Sequence, residues 1–309
     1  MELAVESALP SLDGATGWLN SEPLTAEDLR GKVVLIDFWT YTCINWLRTL
    51  AHVRAWSEKY EDLVVVGVHS PEFPFEHDVD NVRWAAKNMA VEYPIALDND
   101  FAVWSAFGNH YWPAVYIADA EGRIRHHQFG EGGYEECERV VQRLLRDAGH
   151  GGIGDGLVSV APEGFEVQAD WANLRTPETY LGSEQAQNLA SDGARLELNQ
   201  WALDGDWTIG GRAIVLNQAD GRLAFRFHAR DVHLVMGPAA RDVPVPFRAL
   251  VDGEPPGAAH GLDIDERGDG TVAQQRLYQL IRQPGPITDR TLEITFLAPG
   301  VEAYCFTFG

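Results

Sequence analysis

Cysteine is scarce in this sequence, with three residues in 309, and positive charge is scarce as well. Cys43, Cys137 and Cys305 are odd in number, far apart and in unlike surroundings, so they predict neither a disulfide framework nor a zinc ligand set. Lys and Arg total 24 against 46 Asp and Glu, giving a net charge of −22. Such a surface repels phosphates, which argues against nucleic acid and against anionic membranes as partners.

Long apolar runs are also missing. No stretch of 18 or more apolar residues is present, so no membrane insertion is expected. The N-terminal residues lack the basic region and apolar core of a secretory signal. A cytoplasmic location is the simplest expectation, and an extracytoplasmic one applies if a leader or membrane domain has been removed.

What the sequence does contain is two regions of different pattern. Residues 1–150 alternate apolar strand-like runs with amphipathic helical segments, which predicts an α/β layer with a mixed sheet. Residues 151–170 begin with a glycine-rich stretch and are predicted to be a linker with an irregular segment. Residues 171–309 show short alternating strands separated by Asp-Gly turns, which predicts an antiparallel β-sandwich. The elements predicted in the first region are strands over 33–38 and 63–68, helices over 43–60, 78–91 and 101–107, a hairpin of 115–118 with 124–129, and a closing helix over 134–148.

The stretch V-V-L-I-D-F-W-T-Y-T-C-I-N-W places Cys43 where a buried strand passes into a helix. Unpaired N–H groups and the positive end of the helix dipole stabilise a thiolate there, so we expect the Cys43 pKa to fall below the usual value of about 8.5. Asp37 lies on the preceding strand. Pro113 follows an aromatic pair and opens a later strand, a place suited to a cis peptide bond. Cys43 is therefore the predicted nucleophile.

These residues carry a resemblance. D-F-W-x-x-x-C after a buried strand, with a proline opening a later strand, resembles the thioredoxin-like superfamily of the redoxin (AhpC/TSA) type. F-W-T-Y-T-C-I-N together with G-V-H-S-P-E-F resembles the thioredoxin-like region of DipZ-type cytochrome c biogenesis proteins. In those proteins a β-sandwich similar to a carbohydrate-binding-module jelly roll follows the redox domain. The resemblance implies that Cys43 attacks, that cis-Pro113 and Trp112 shape a substrate groove, and that Asp37 serves as a buried acid.

Trp46 departs from the pattern, because it stands where a C-x-x-C site has its second cysteine. A single thiol can attack a disulfide but cannot resolve the mixed disulfide internally. The favoured function is therefore a monothiol thiol–disulfide oxidoreductase or antioxidant, resolved by an external small-molecule or protein thiol. Trp46 would either pack over the sulfur or form an apolar wall for a partner, and Asp37 would have lost its usual cysteine partner.

Two alternatives stay open. In one alternative, the protein is a non-catalytic binding or scaffold protein whose redox site is degenerate. In the other, it is a one-cysteine peroxidase in which Thr40 orients the peroxide. Trp201 and Trp207 are weak candidates for stacking on a glycan, and the sandwich is expected to bind glycan or protein. The histidine spacing matches no compact metal site, so neither a metal nor another cofactor is expected.

Overall fold

The computed structural model describes residues 3–191 and 195–309. The chain divides into two units, Met1–Glu166 and Val167–Gly309. The boundary falls inside the segment 151–170 that was predicted as a linker. The first part of that segment is hydrogen-bonded to the first unit, where the Val158 amide donates to both carboxylate oxygens of Glu138 at 2.9 Å.

The first unit is a seven-stranded mixed sheet with helices. Its elements are β1 (Ser7–Ala8), β2 (Gly17–Leu19), β3 (Val33–Trp39), α1 (Ile44–Lys59), β4 (Leu63–His69), a 3-10 turn (Pro74–His77), α2 (Val79–Asn88), β5 (Ile95–Leu97), α3 (Ala102–Ala106), β6 (Ala114–Ala118), β7 (Arg123–Phe129), α4 (Tyr134–Asp147) and a second 3-10 turn (Gly164–Glu166). The strand order is β1-β7-β6-β3-β4-β5-β2. β3 pairs in parallel with β4 and antiparallel with β6.

The central strand β3 determines where the site lies. All seven of its residues are buried, because β-branched and aromatic side chains cover both faces of a strand that has neighbours on either side. The chain leaves β3 at Trp39, makes one turn and enters α1 at Ile44. Helix α1 buries the apolar face that the three- and four-residue periodicity predicted, with Trp46, Leu50 and Val53 among its buried residues.

The second unit is a sandwich of two antiparallel sheets. Its strands are β8 (Thr179–Tyr180), β9 (Trp201–Asp204), β10 (Trp207–Ile209), β11 (Ile214–Leu216), β12 (Gly221–Phe227), β13 (Asp231–Pro238), β14 (Val245–Val251), β15 (Asp269–Val272), β16 (Arg276–Arg282), β17 (Arg290–Phe296) and β18 (Val301–Phe308). One sheet has the order β10-β11-β18-β13-β16, with β8 against β18, and the other has the order β15-β14-β17-β12-β9. Leu223, Phe225 and Phe227 share the inward face of β12 and belong to one apolar core. The predicted α/β domain followed by a β-sandwich is confirmed.

Candidate active site

Cys43 is the N-cap residue of α1, with an extended backbone (φ −74°, ψ 111°). Its amide donates to the Thr40 carbonyl at 3.2 Å, and its carbonyl accepts from the Leu47 amide at 3.0 Å. The segment 44–47, which forms the first turn of α1, contains no acidic residue. The thiol is only partly buried. A partly exposed thiol thus lies at the positive end of a 16-residue helix.

The proline loop lies directly beside the thiol. The Trp112–Pro113 peptide bond is cis. The Cys43 thiol donates to the Trp112 carbonyl, with 3.8 Å between Sγ and O. Two further contacts hold this loop, since the Trp112 indole donates to the Ser70 carbonyl at 3.1 Å and the Gly130 amide donates to the Pro113 carbonyl at 2.8 Å. The structure therefore brings together Cys43, Trp112 and Pro113, the residues for which the resemblance implied a nucleophile and a substrate groove.

Trp46 turns inward, away from solvent. It is fully buried, and its ring stacks on Trp39 with 4.4 Å between ring centroids. Its indole Nε1 donates to Asp37 Oδ2 at 3.0 Å. Because no part of the side chain is exposed, Trp46 offers no apolar wall to a partner. Asp37 also has a partner. The Trp46 indole N–H donates to the carboxyl group for which the resemblance implied a second cysteine as partner.

Asp37 is a fully buried acid with two neutral donors on the same oxygen. Tyr93 Oη also donates to Oδ2, at 3.3 Å. The other oxygen, Oδ1, has no hydrogen-bond partner among the residues that the structure describes. Burial raises the pKa of Asp37 to about 7, and the hydrogen bonds from Trp46 and Tyr93 oppose that rise. The site therefore contains a carboxyl group that titrates near neutral pH.

The residues just before the thiol are held by an acid that the sequence analysis did not single out. Thr40 and Thr42 are both buried. The Thr42 hydroxyl donates to Glu76 Oε1 at 2.6 Å, and Glu76 is itself fully buried. The signal was present in the sequence, because S-P-E-F-P-F-E, which ends in Glu76, follows β4 directly. The carboxyl ends of the parallel strands β3 and β4 meet at one edge of the sheet, so an acid in this loop lies near the Cys43 turn.

The other two cysteines lie in different surroundings, although all three are present as thiols. Cys137 is on α4, with its Sγ 3.6 Å from Nε2 of His126. Burial, and next the nearby Glu136, raise the pKa of Cys137 to about 12. Cys305 is fully buried in β18 of the second unit. Neither residue resembles Cys43 in exposure.

The tryptophans considered for glycan stacking have structural roles. Trp201 is fully buried, and its indole donates to the Gln187 carbonyl at 2.7 Å, so it cannot stack on a sugar. Trp207 is partly buried, donates to the Asp204 carbonyl at 3.0 Å and packs edge-on against Phe296. These two residues therefore give no support for glycan binding.

The described part of the chain offers neither a metal-binding cluster nor a membrane-spanning helix. Residues 3–191 and 195–309 contain no group of three or more His, Cys, Asp or Glu side chains arranged to hold a metal ion. Across the same residues, none of the helices combines the length and apolar character needed to cross a bilayer.

The fold and a helix-capping cysteine beside a cis-proline define a thioredoxin-like redoxin. Residues 5–127 match the AhpC/TSA family, and residues 176–309 match the thioredoxin-like C-terminal domain. The thiol–disulfide oxidoreductase YkuV of Bacillus subtilis (strain 168) is 35% identical over 147 residues, which are 47% of this chain and 99% of YkuV. The chain belongs to the thioredoxin-like family of thiol–disulfide oxidoreductases.

The similarity to another relative runs through both units. Protein DipZ of Mycobacterium tuberculosis (strain CDC 1551 / Oshkosh) is 40% identical over 317 residues, covering 97% of this chain and 42% of DipZ. The chain thus spans less than half the length of DipZ. A solved solution structure of a thioredoxin-like protein in its oxidised form aligns with 48% of this chain and 99% of its own, with 36% identity and a TM-score of 0.43.

Proposed function

We propose that this protein is a monothiol thiol–disulfide oxidoreductase in which Cys43 is the attacking thiol. The observation that carries the proposal is the place of Trp46, three residues after Cys43, where its indole is buried against Asp37. A dithiol site would have its resolving sulfur at that position. Cys137 is poorly suited to this step, because burial raises its pKa to about 12 and so favours the protonated thiol at neutral pH.

The chemistry has two exchange steps. The Cys43 thiolate attacks one sulfur of a substrate disulfide, the substrate S–S bond breaks, and the departing thiolate takes up a proton. The product is a mixed disulfide between Cys43 and the substrate. An external thiolate then attacks the substrate sulfur of that bond, which forms a new disulfide with the substrate and returns the electron pair to Cys43.

The partners of such a site are protein or small-molecule disulfides and an external thiol that completes the cycle. The β-sandwich is proposed as an accessory module that docks a protein. The cytoplasmic location remains a prediction, and the relation to DipZ does not bear on it, because the chain covers only part of DipZ.

Restoring a second cysteine tests the proposal. Without an external thiol, we expect the reduced Trp46→Cys variant to reduce insulin disulfides that the parent only holds as mixed disulfides, since a second thiol would then stand three residues after Cys43. Trp56→Cys is the matched control, because Trp56 is also buried on α1 but lies thirteen positions beyond Cys43. Both variants remove a large core side chain at a cost of about 3–5 kcal/mol, so folding is checked by circular dichroism. Activity in the parent without any external thiol would contradict the monothiol mechanism.

The two alternatives have their own measurements. A binding protein with a degenerate site predicts that Cys43 stays unlabelled by thiol reagents through neutral pH. A one-cysteine peroxidase predicts peroxide consumption that is lost in Cys43→Ser. The monothiol proposal predicts labelling of Cys43 and mixed-disulfide formation, and it fails if labelling is absent.

A further inference from the structure

The acid Glu76 connects the turn that carries the thiol to the loop after β4. It lies in the 3-10 turn Pro74–His77, and none of its surface is exposed. The Thr42 hydroxyl donates to its Oε1 at 2.6 Å. The amides of Glu72 and Phe73 donate to its Oε2 at 2.6 Å and 2.9 Å. Both carboxylate oxygens therefore accept hydrogen bonds from neutral donors, one from the Cys43 side and two from the loop.

The contact reaches Cys43 through a single residue. Thr42 precedes the thiol, and the turn 40–43 closes by the bond from the Cys43 amide to the Thr40 carbonyl at 3.2 Å. Aromatic packing fastens the same turn, since Tyr41 stacks with His69 at 5.8 Å between ring centroids. Burial raises the pKa of Glu76, and the hydrogen bonds from the threonine hydroxyls and the loop amides oppose that rise by favouring the carboxylate.

We propose that Glu76 is a positioning residue for Cys43, acting through the Thr42 hydroxyl to fix the turn 40–43 at the start of α1. This assignment of Glu76 rests on the part of the proposed function in which Cys43 is the reacting thiol. It does not depend on the absence of a second cysteine. With the turn fixed, Cys43 stays at the N-cap of α1, where the positive end of the helix dipole favours its thiolate. With the turn released, the thiol loses part of that stabilisation.

A double-mutant cycle tests this assignment. Thr42→Val keeps the side-chain shape and removes the hydroxyl, and Glu76→Met keeps the side-chain length and removes both acceptor oxygens. The readout is the rate of alkylation of Cys43 by iodoacetamide from pH 5 to 10, followed by peptide mass spectrometry. We expect each variant to lower the rate at pH 7 by about three- to tenfold and to move the pH midpoint upward. The double variant should react no more slowly than the slower single variant, because both changes break one connection.

Tyr60→Phe is the matched control. It also removes a hydroxyl that donates to a buried carboxylate at 2.6 Å, here Oε1 of Glu138, but at the far end of α1. We expect it to lower stability without moving the pH midpoint of Cys43.

The titratable neighbours in the Glu76 loop are Glu72 and His77. His69, at the end of β4, has a pKa lowered by burial to about 3, so its imidazole stays neutral from pH 5 to 10.

Three results would overturn the proposal. They are an unchanged midpoint in Thr42→Val, losses that multiply in the double variant, or an equal shift in Tyr60→Phe. Alkylation measures the placement of the thiol, whereas disulfide exchange measures the proposed function. A parent that is alkylated normally but forms no mixed disulfide therefore contradicts the proposed function and leaves the assignment of Glu76 standing. A parent whose Cys43 is never alkylated contradicts both.

Discussion

The first unit contains two cysteines near the starts of helices, and their surroundings differ. Cys43 caps α1, is partly exposed and precedes a first turn without acids. Cys137 lies in the first turns of α4 beside Glu135 and Glu136, and only 1% of its surface is exposed. The helix dipole favours a thiolate at both places, yet burial raises the pKa of Cys137 to about 12. Exposure and local charge thus decide whether a helix start makes a nucleophile.

The largest expected effect is the difference in reactivity between these two thiols. At pH 7 iodoacetamide should label Cys43 at least about 100-fold faster than Cys137, because burial leaves Cys137 almost entirely protonated. Peptide mass spectrometry over time measures both rates in one sample. If Cys137 were labelled as fast as Cys43, burial would not be what separates the reactivity of the two thiols.

The next effect concerns Asp37, the buried acid on β3 that accepts a hydrogen bond from Trp46 of α1. The folded-state pKa of Asp37, about 7, lies above the ordinary aspartate value of 3.8, so the folded protein binds the extra proton between those values. Stability should therefore fall as the pH rises from about 4 to 7, by up to about 4 kcal/mol from this group. In Asp37→Asn that part of the slope should vanish, and the variant should gain stability relative to the parent above pH 7.

Urea unfolding of the parent and Asp37→Asn at pH 5 and pH 8 measures this difference. Asparagine still has an oxygen that accepts from Trp46 and Tyr93. If the free energy of unfolding changes by the same amount between pH 5 and pH 8 in both proteins, Asp37 has an ordinary pKa.

A smaller effect separates the two buried tryptophans of α1. Trp46→Phe removes the N–H that donates to Asp37, and it should cost about 1–3 kcal/mol more than Trp56→Phe. Trp56 is the control because it is equally buried and its Nε1 has no hydrogen-bond partner within the described residues. Equal losses in urea unfolding would mean that the indole–carboxylate bond adds nothing beyond packing.

The smallest effect tests which cause keeps Cys137 inert. Burial is the larger cause of its raised pKa, and Glu136 is the lesser one. Glu136→Gln should therefore increase the alkylation rate of Cys137 by less than about tenfold and leave Cys43 unaffected. A Cys137 that becomes as reactive as Cys43 in this variant would assign the difference to charge instead.

The sequence predicted the parts of the fold that have strong periodicity. The helix expected over 43–60 is observed as Ile44–Lys59, because its apolar residues recur at three- and four-residue steps. Strand β5 was missed, since Ile95–Leu97 has only three residues between a proline and an aspartate. Such a short strand is defined by pairing with β2 and β4, which no local pattern encodes.

The sequence could nominate residues for the candidate site but not all of their contacts. Cys43 was nominated by the strand–helix junction, and Trp112 and Pro113 by the resemblance together with the aromatic pair before the proline; their roles stay predictions. The inward turn of Trp46 could not be predicted, because the meeting of its indole with Asp37 depends on how α1 crosses β3 in three dimensions. Glu76 was missed for the same reason, since 34 residues separate it from Thr42.

The most direct test of the monothiol proposal follows the mixed disulfide itself. The protein is incubated with a disulfide-containing peptide, the excess is removed, and intact-mass spectrometry records the adduct on Cys43 over time, with Cys43→Ser and Cys137→Ser as controls. The account predicts an adduct in the parent and in Cys137→Ser that persists until a small-molecule thiol is added. Release of the peptide without any added thiol would contradict it, because an internal group would then be resolving the bond.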